Sequence, residues 1–196
     1  MDKLKNIPQP MAIERLSLSG RSLPEKPPQD GFWCGIVKIR ELPAGITEEE
    51  YRQWWPRLTE QEREKFTVRE SKNILTTLGF SQLLTYIASS NATTLGFSQY
   101  FAVGTFPIIS VQGGDTAVTG EIFRAVPTSS TITGNQLTLS TFFGQHQGNG
   151  NYTNAGLFGV NASATANSGT LMTHTLYAYL KVDGTAISND YLIILQ

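Results

Sequence analysis

The chain has 196 residues, a formal net charge of −1 and 40% hydrophobic residues, enough for one ordinary domain or one domain with an appendage. The near-neutral balance argues against binding nucleic acid by phosphate neutralisation, and no apolar run approaches the roughly 18–20 residues of a membrane-spanning helix. The single cysteine, Cys34, excludes an internal disulfide and a thiolate metal cluster.

The start, MDKLKNIPQP, carries charges and prolines where a secretory leader has its apolar run, which predicts a protein made in the cytoplasm. Residues 1–31 hold five of the nine prolines, including Pro8 and Pro10, and few large apolar side chains. Proline fixes φ, removes a donor and pushes its predecessor toward extended conformations, so this segment reads as an extended arm, disordered alone or laid across a neighbour. Pro8, Pro10, Ile13, Leu16 and Leu18 are its candidate partner-binding residues.

Residues 32–73 form a charged linker region. Of 15 Lys+Arg, 13 lie in residues 1–73, as do 12 of 16 Asp+Glu. GFWCGIVKIREL predicts a short strand ended by Pro43 and Gly45. Two helix starts follow, Thr47 with Glu50 and Thr59 with Glu62, each at the spacing of a capping box. Pro56 predicts two short helices or a kink between them. Trp54 and Trp55 sit at that break, about 100° apart on a helix, so both are buried only if two sides are covered. Packing against the body of the protein is one reading of the pair, and an anchor for another subunit is the other.

The heptapeptide TTLGFSQ occurs twice, at Thr76–Gln82 and Thr93–Gln99. Leu78, Leu83, Leu84 and Ile87 make a helical stripe in the first copy and its sequel, with Ser81 a possible start. The second copy runs into YFAVGTFPIISVQGG, which predicts strand, turn and strand. Two copies 17 residues apart do not make a solenoid.

From Tyr100 onward the pattern is strands and turns. In LMTHTLYAYLKV, Met172, His174, Leu176, Ala178, Leu180 and Val182 make one strongly apolar face, and Leu171, Thr173, Thr175, Tyr177, Tyr179 and Lys181 the other. The final YLIILQ predicts a central buried strand, and GQHQGNGN a polar hairpin tip. Roughly eight strands are expected in a mainly β antiparallel sandwich, jelly-roll or Ig-like, over residues 74–196 together with the leading helix.

The stretch ILTTLGFSQLLTYIA, YFAVGTF, GEIFRAVPTSSTITGNQLTLSTFFG, NYTNAGLFGV and SGTLMTHTLYAYLKVDGT, in that order, resembles a family of tailed-bacteriophage virion proteins. Its members run through a "TTxG" helix, an "AVGTG"-like strand, an "E(x)FR" strand, an "EAGLF" turn and a final "GTLLARTxF…K" strand pair. The resemblance covers about Ile74 to Gln196. Asn154 stands where relatives often have Glu, and Phe106 and Pro107 where they often have Gly and Thr. The resemblance implies a virion structural protein.

The sequence offers little chemistry. His146 reads as a hairpin-tip residue and His174 as a core or interface histidine, neither with a Cys, His or carboxylate at ligand spacing. Asp115 and Asp183 adjoin glycines and suit local turn bonding. Glu121, Phe123 and Arg124 match "ExFR", with Arg124 expected to hold an acid or carbonyl at a strand end. Neither a carboxylate pair nor a P-loop, nucleophile elbow or HExxH is present.

These readings converge on a non-enzymatic protein of the virion, without cofactor, metal, nucleic acid or membrane. It is expected to be a symmetric homo-oligomer that meets other virion proteins through its arm, as a head decoration, cement or head-fibre-base subunit. A tail, neck or fibre component is the alternative. A carbohydrate-binding module that stacks host surface glycans on Tyr177 and Tyr179 is the alternative of another class.

Overall fold

The computed structural model describes residues 32–88, 99–134 and 136–194. In chain order these form β1 (Phe32–Glu41), α1 (Glu48–Trp54), a 3-10 turn (Trp55–Arg57), α2 (Glu60–Glu64), β2 (Thr67–Leu75), α3 (Thr77–Ala88), β3 (Tyr100–Gly104), β4 (Glu121–Ala125), β5 (Ser129–Thr133), β6 (Gln136–Phe143), β7 (Gly150–Gly159), β8 (Thr170–Lys181) and β9 (Ile187–Ile194). All nine strands join one antiparallel sheet in the order β4-β3-β7-β8-β2-β1-β9-β6-β5.

The protein is therefore mainly β, as its alternating strand and turn pattern predicts, with a single curled sheet resembling half a barrel. Phe101 on β3 meets Phe143 on β6 and Tyr191 on β9 at 5.9 Å, although these strands are not neighbours in the sheet. The concave side holds the main core, with Val37, Ile39, Phe101, Val103, Leu139, Phe143, Leu157, Tyr177, Ile187 and Tyr191 all buried. Burying a side chain of that size stabilises by about 1.5–3 kcal/mol.

The charged region of residues 32–73 is not a linker. Its β1 lies between β2 and β9 near the middle of the sheet, and the expected boundary at 73/74 falls inside β2. Both capping boxes form as their spacing predicts. The Thr47 and Thr59 hydroxyls accept from the Glu50 and Glu62 amides, and each glutamate accepts from its cap residue in return. Pro56 sits in the 3-10 turn between the helices, where the break was expected.

Helix α3 begins at Thr77, four residues before the expected Ser81, because Thr76 caps it: the Thr76 hydroxyl accepts from Gly79 N–H at 2.9 Å. That hydroxyl also donates to Leu171 O at 2.5 Å, tying the helix start to β8. Gly79 then passes over β8 so closely that a Cβ would lie 2.0 Å from the Met172 carbonyl oxygen. Thr and Gly of the first heptapeptide thus have one task, docking a helix onto a strand. The second copy, apart from Gln99, lies outside the described residues.

Two sequence expectations are corrected here. GQHQGNGN is not a hairpin tip, because β6 and β7 sit on opposite flanks of the sheet and residues 144–149 cross between them. On β8 the expected faces are exchanged beyond Thr175. Tyr177 and Lys181 are buried while Leu180 and Val182 are exposed.

Candidate functional site

Three side-chain clusters outside the main core hold the sequence's chemically interesting residues. The first covers the convex face of β1 and β9, where Trp55 is buried at the break between α1 and α2. It stacks on Tyr51 at 5.4 Å and meets Trp54 and Phe66 edge-on at 5.5 and 5.9 Å. The Arg40 and Arg63 guanidinium groups lie 5.6 and 5.5 Å from the Trp55 ring centre. Trp54 is half-buried beside Phe66. The pair packs against its own chain, the first of the two readings of these tryptophans.

Charge runs beneath this cap. Arg40 is buried and pairs with Glu60 at 2.6 Å, while Lys38 reaches Glu60 at 3.2 Å and Glu64 at 2.9 Å. Burial pulls the Glu60 carboxyl upward, but Arg40 and Lys38 outweigh it and hold it below the usual range. Asp190 is fully buried, 3.3 Å from Arg40 Nε, a charge contact without hydrogen-bond alignment. Burial raises its carboxyl despite the Arg40 charge.

The second cluster surrounds Arg124. Its guanidinium grips Glu121 bidentately, Nε to Oε1 at 2.5 Å and Nη2 to Oε2 at 2.7 Å, with both side chains buried. Its Nη1 donates to Ser163 O at 2.9 Å and to Ser168 O at 3.2 Å, and its plane lies 4.5 Å from the Phe158 ring centre. Glu121 Oε2 accepts from Asn167 N–H at 2.8 Å. The "ExFR" residues therefore clamp the 161–168 loop to the sheet, the strand-end role expected of Arg124.

The third cluster is one that sequence reasoning missed. His174 is 2% exposed, with Nδ1 2.5 Å from Asp115 Oδ2 and Nε2 3.2 Å from Asn154 Oδ1. Burial raises the Asp115 carboxyl, but the hydrogen bonds from His174 and Gln112 N–H prevail and hold it below its ordinary value. His146, at the surface, pairs likewise with Asp183 at 2.8 Å. Both histidines thus have a carboxylate partner, contrary to the expectation from spacing. The partners lie 59 and 37 positions away, which local patterns cannot register.

Tyr177 and Tyr179 do not form a stacking platform. Tyr177 is 0% exposed and its hydroxyl donates to Asn189 Oδ1, while Tyr179 is half-buried with its hydroxyl donating to Glu41 Oε1 at 2.7 Å. Glycan stacking needs an open ring face, which Tyr177 lacks; its hydroxyl is pushed up by burial and by neighbouring tyrosines. Pro8, Pro10, Ile13, Leu16 and Leu18 lie outside the described residues.

An open groove of about 720 Å³ runs between β3 and β5–β6, lined by Tyr100, Val126, Pro127, Ser129, Leu137 and Leu139. None of the lining residues is charged. Among the described residues no three His, Cys, Asp or Glu side chains converge as metal ligands, and no helix is long and apolar enough to cross a membrane. No protein-family model, curated protein or solved structure matches the chain.

Proposed function

We propose that this chain is a non-enzymatic structural protein of a tailed-bacteriophage virion, acting as a head decoration, cement or head-fibre-base subunit. The observation that carries the reading is where the residues of the motif resemblance sit. Thr76 and Gly79 dock α3 on β8, Glu121 and Arg124 clamp a loop, and Asn154 and His174 hold another. Residues spent on the framework suit a protein whose task is to present a durable surface. The sparsely charged Thr/Ser/Asn-rich half would be displayed, and the 31-residue arm would reach about 100 Å if extended, enough to cross adjacent subunits.

We read the curl of the sheet as the two facing layers of a sandwich, with the Phe101–Phe143 contact bridging them. A symmetric homo-oligomer on the particle follows from the arm, since an arm gains affinity only when it engages a neighbour. A tail, neck or fibre component uses the same fold and arm, and the burial of Tyr177 removes the support for glycan stacking.

The test is tagged protein, with and without residues 1–31, expressed during infection by the phage that encodes it. The full chain should co-purify with particles, and imaging of the tag should place it on the head. Loss of the arm should leave soluble folded protein that is absent from particles. Equal incorporation of the truncated chain would refute the arm's role, and absence of the full chain from particles would refute the reading.

A further inference from the structure

The segment 105–120 crosses from β3 to β4 over the convex face of β7 and β8. It covers an apolar cluster in which Val118 packs with Ala102, Phe158 and Leu171, all buried. It also displays Phe106 and Ile109, the latter 97% exposed. Polar clips hold it down. Thr119 N–H donates to Asn154 Oδ1 at 3.0 Å, and Asn154 Nδ2 donates to Thr119 O at 3.1 Å. Gln112 N–H donates to Asp115 Oδ2 at 2.8 Å, and Asp115 meets His174.

The orientation of the Asn154 amide is fixed by these partners. The Thr119 N–H requires an oxygen, and the Thr119 and Phe106 carbonyls require a nitrogen donor. Asn154 Oδ1 is therefore the atom facing His174 Nε2, and an acceptor there requires an N–H on Nε2. On the other side of the ring, the ionised Asp115 carboxylate faces Nδ1 and requires a second N–H. Both ring nitrogens therefore face acceptors, an arrangement that a doubly protonated ring satisfies.

We infer that segment 105–120 is a proton-dependent strap, closed on the apolar cluster while His174 carries two protons and Asp115 carries none. Among the described residues of the elements packed on the ring, Asp115 is the charge that faces it. Asp115 is the only acidic or basic residue of segment 105–120, and α3 contains none. On β7 the titratable Tyr152 packs in the concave core, and β2 places Ile74 opposite His174 with Lys72 two residues away. Loss of the second ring proton would set a nitrogen lone pair against Asn154 Oδ1 or Asp115 Oδ2. Protonation of Asp115 would remove the counter-charge. Either change loosens the strap and exposes Ala102, Phe158 and Leu171.

This inference does not depend on the virion reading. The test is ¹⁵N spectroscopy of the histidine rings at neutral pH, with amide exchange in the full chain and in Asp115→Asn. Both His174 nitrogens should resonate as protonated. The Gln112 and Thr119 amides should exchange at least about tenfold faster in Asp115→Asn, while amides of the β1–β9 ladder hold. His174→Gln, which replaces two oppositely placed ring N–H groups with one amide nitrogen and one oxygen, should do the same. An unprotonated His174 nitrogen at neutral pH, or unchanged exchange at Gln112 and Thr119 in both variants, would overturn the strap.

Discussion

Replacing Gly79 with alanine should destabilise the protein, although the same change in an exposed helix would stabilise it by about 1 kcal/mol. The new Cβ would stand 2.0 Å from the Met172 carbonyl oxygen and 2.7 Å from its carbon, both backbone atoms that no rotamer change can move. Restoring ordinary contact requires α3 to withdraw from β8 by roughly 1.4 Å. That movement breaks the bonds from the Thr76 hydroxyl to Leu171 O, at 2.5 Å, and from Thr76 N–H to Met172 O, at 3.0 Å. Two bonds at about 1 kcal/mol each, with an overpacking cost of about 1–3, outweigh the helix gain. The expected net loss is about 2–4 kcal/mol. Urea unfolding followed by tryptophan fluorescence measures it as a lower midpoint at unchanged slope. Gly114→Ala, where a Cβ meets nothing within 4 Å, is the control and should be near neutral. A Gly79→Ala variant as stable as the parent would refute the docking of α3.

Arg124→Met should cost about 3–5 kcal/mol in the same assay, because it leaves the Glu121 carboxylate buried and unpaired; a loss under about 1 kcal/mol would show that the clamp is not closed in solution. Trp55→Ala should cost about 3–5 kcal/mol and half-buried Trp54→Ala clearly less, with the opposite order contradicting the cap over β1 and β9. Asp115, whose folded carboxyl is held below its unfolded value, contributes stability that is present above about pH 4 and lost as pH falls through the folded value. The stability gap between the parent and Asp115→Asn should therefore close on acidification, and a gap that widens would refute the assigned direction.

What was legible in the sequence was what depends on near neighbours. The capping boxes at Thr47 and Thr59 are three-residue patterns, and Pro56 breaks a helix by its own chemistry, so each element formed where expected. The apolar run of β9 correctly signalled a central strand, paired with β1 and β6. The faces of β8 were misread because hydrophobicity alone placed Leu180 and Val182 inward. The Tyr177 and Tyr179 hydroxyls find acceptors on Asn189 and Glu41 inside the curl, so the larger rings take that side. β2 was missed because TVRESKNIL is charged, and its place follows from pairing with β1 across almost its whole length. Arg124 was expected to hold an acid or carbonyl, and the partner it takes, Glu121, is three residues away, whereas Asp115–His174 spans 59 positions and depends on the fold itself.

The central claim, a structural role in a virion, is tested most directly by the composition of purified particles. Quantitative mass spectrometry of gradient-purified phage should find the full chain at a fixed copy number comparable with other structural components. Its absence from particles, with abundant free protein in the same lysate, would contradict the account.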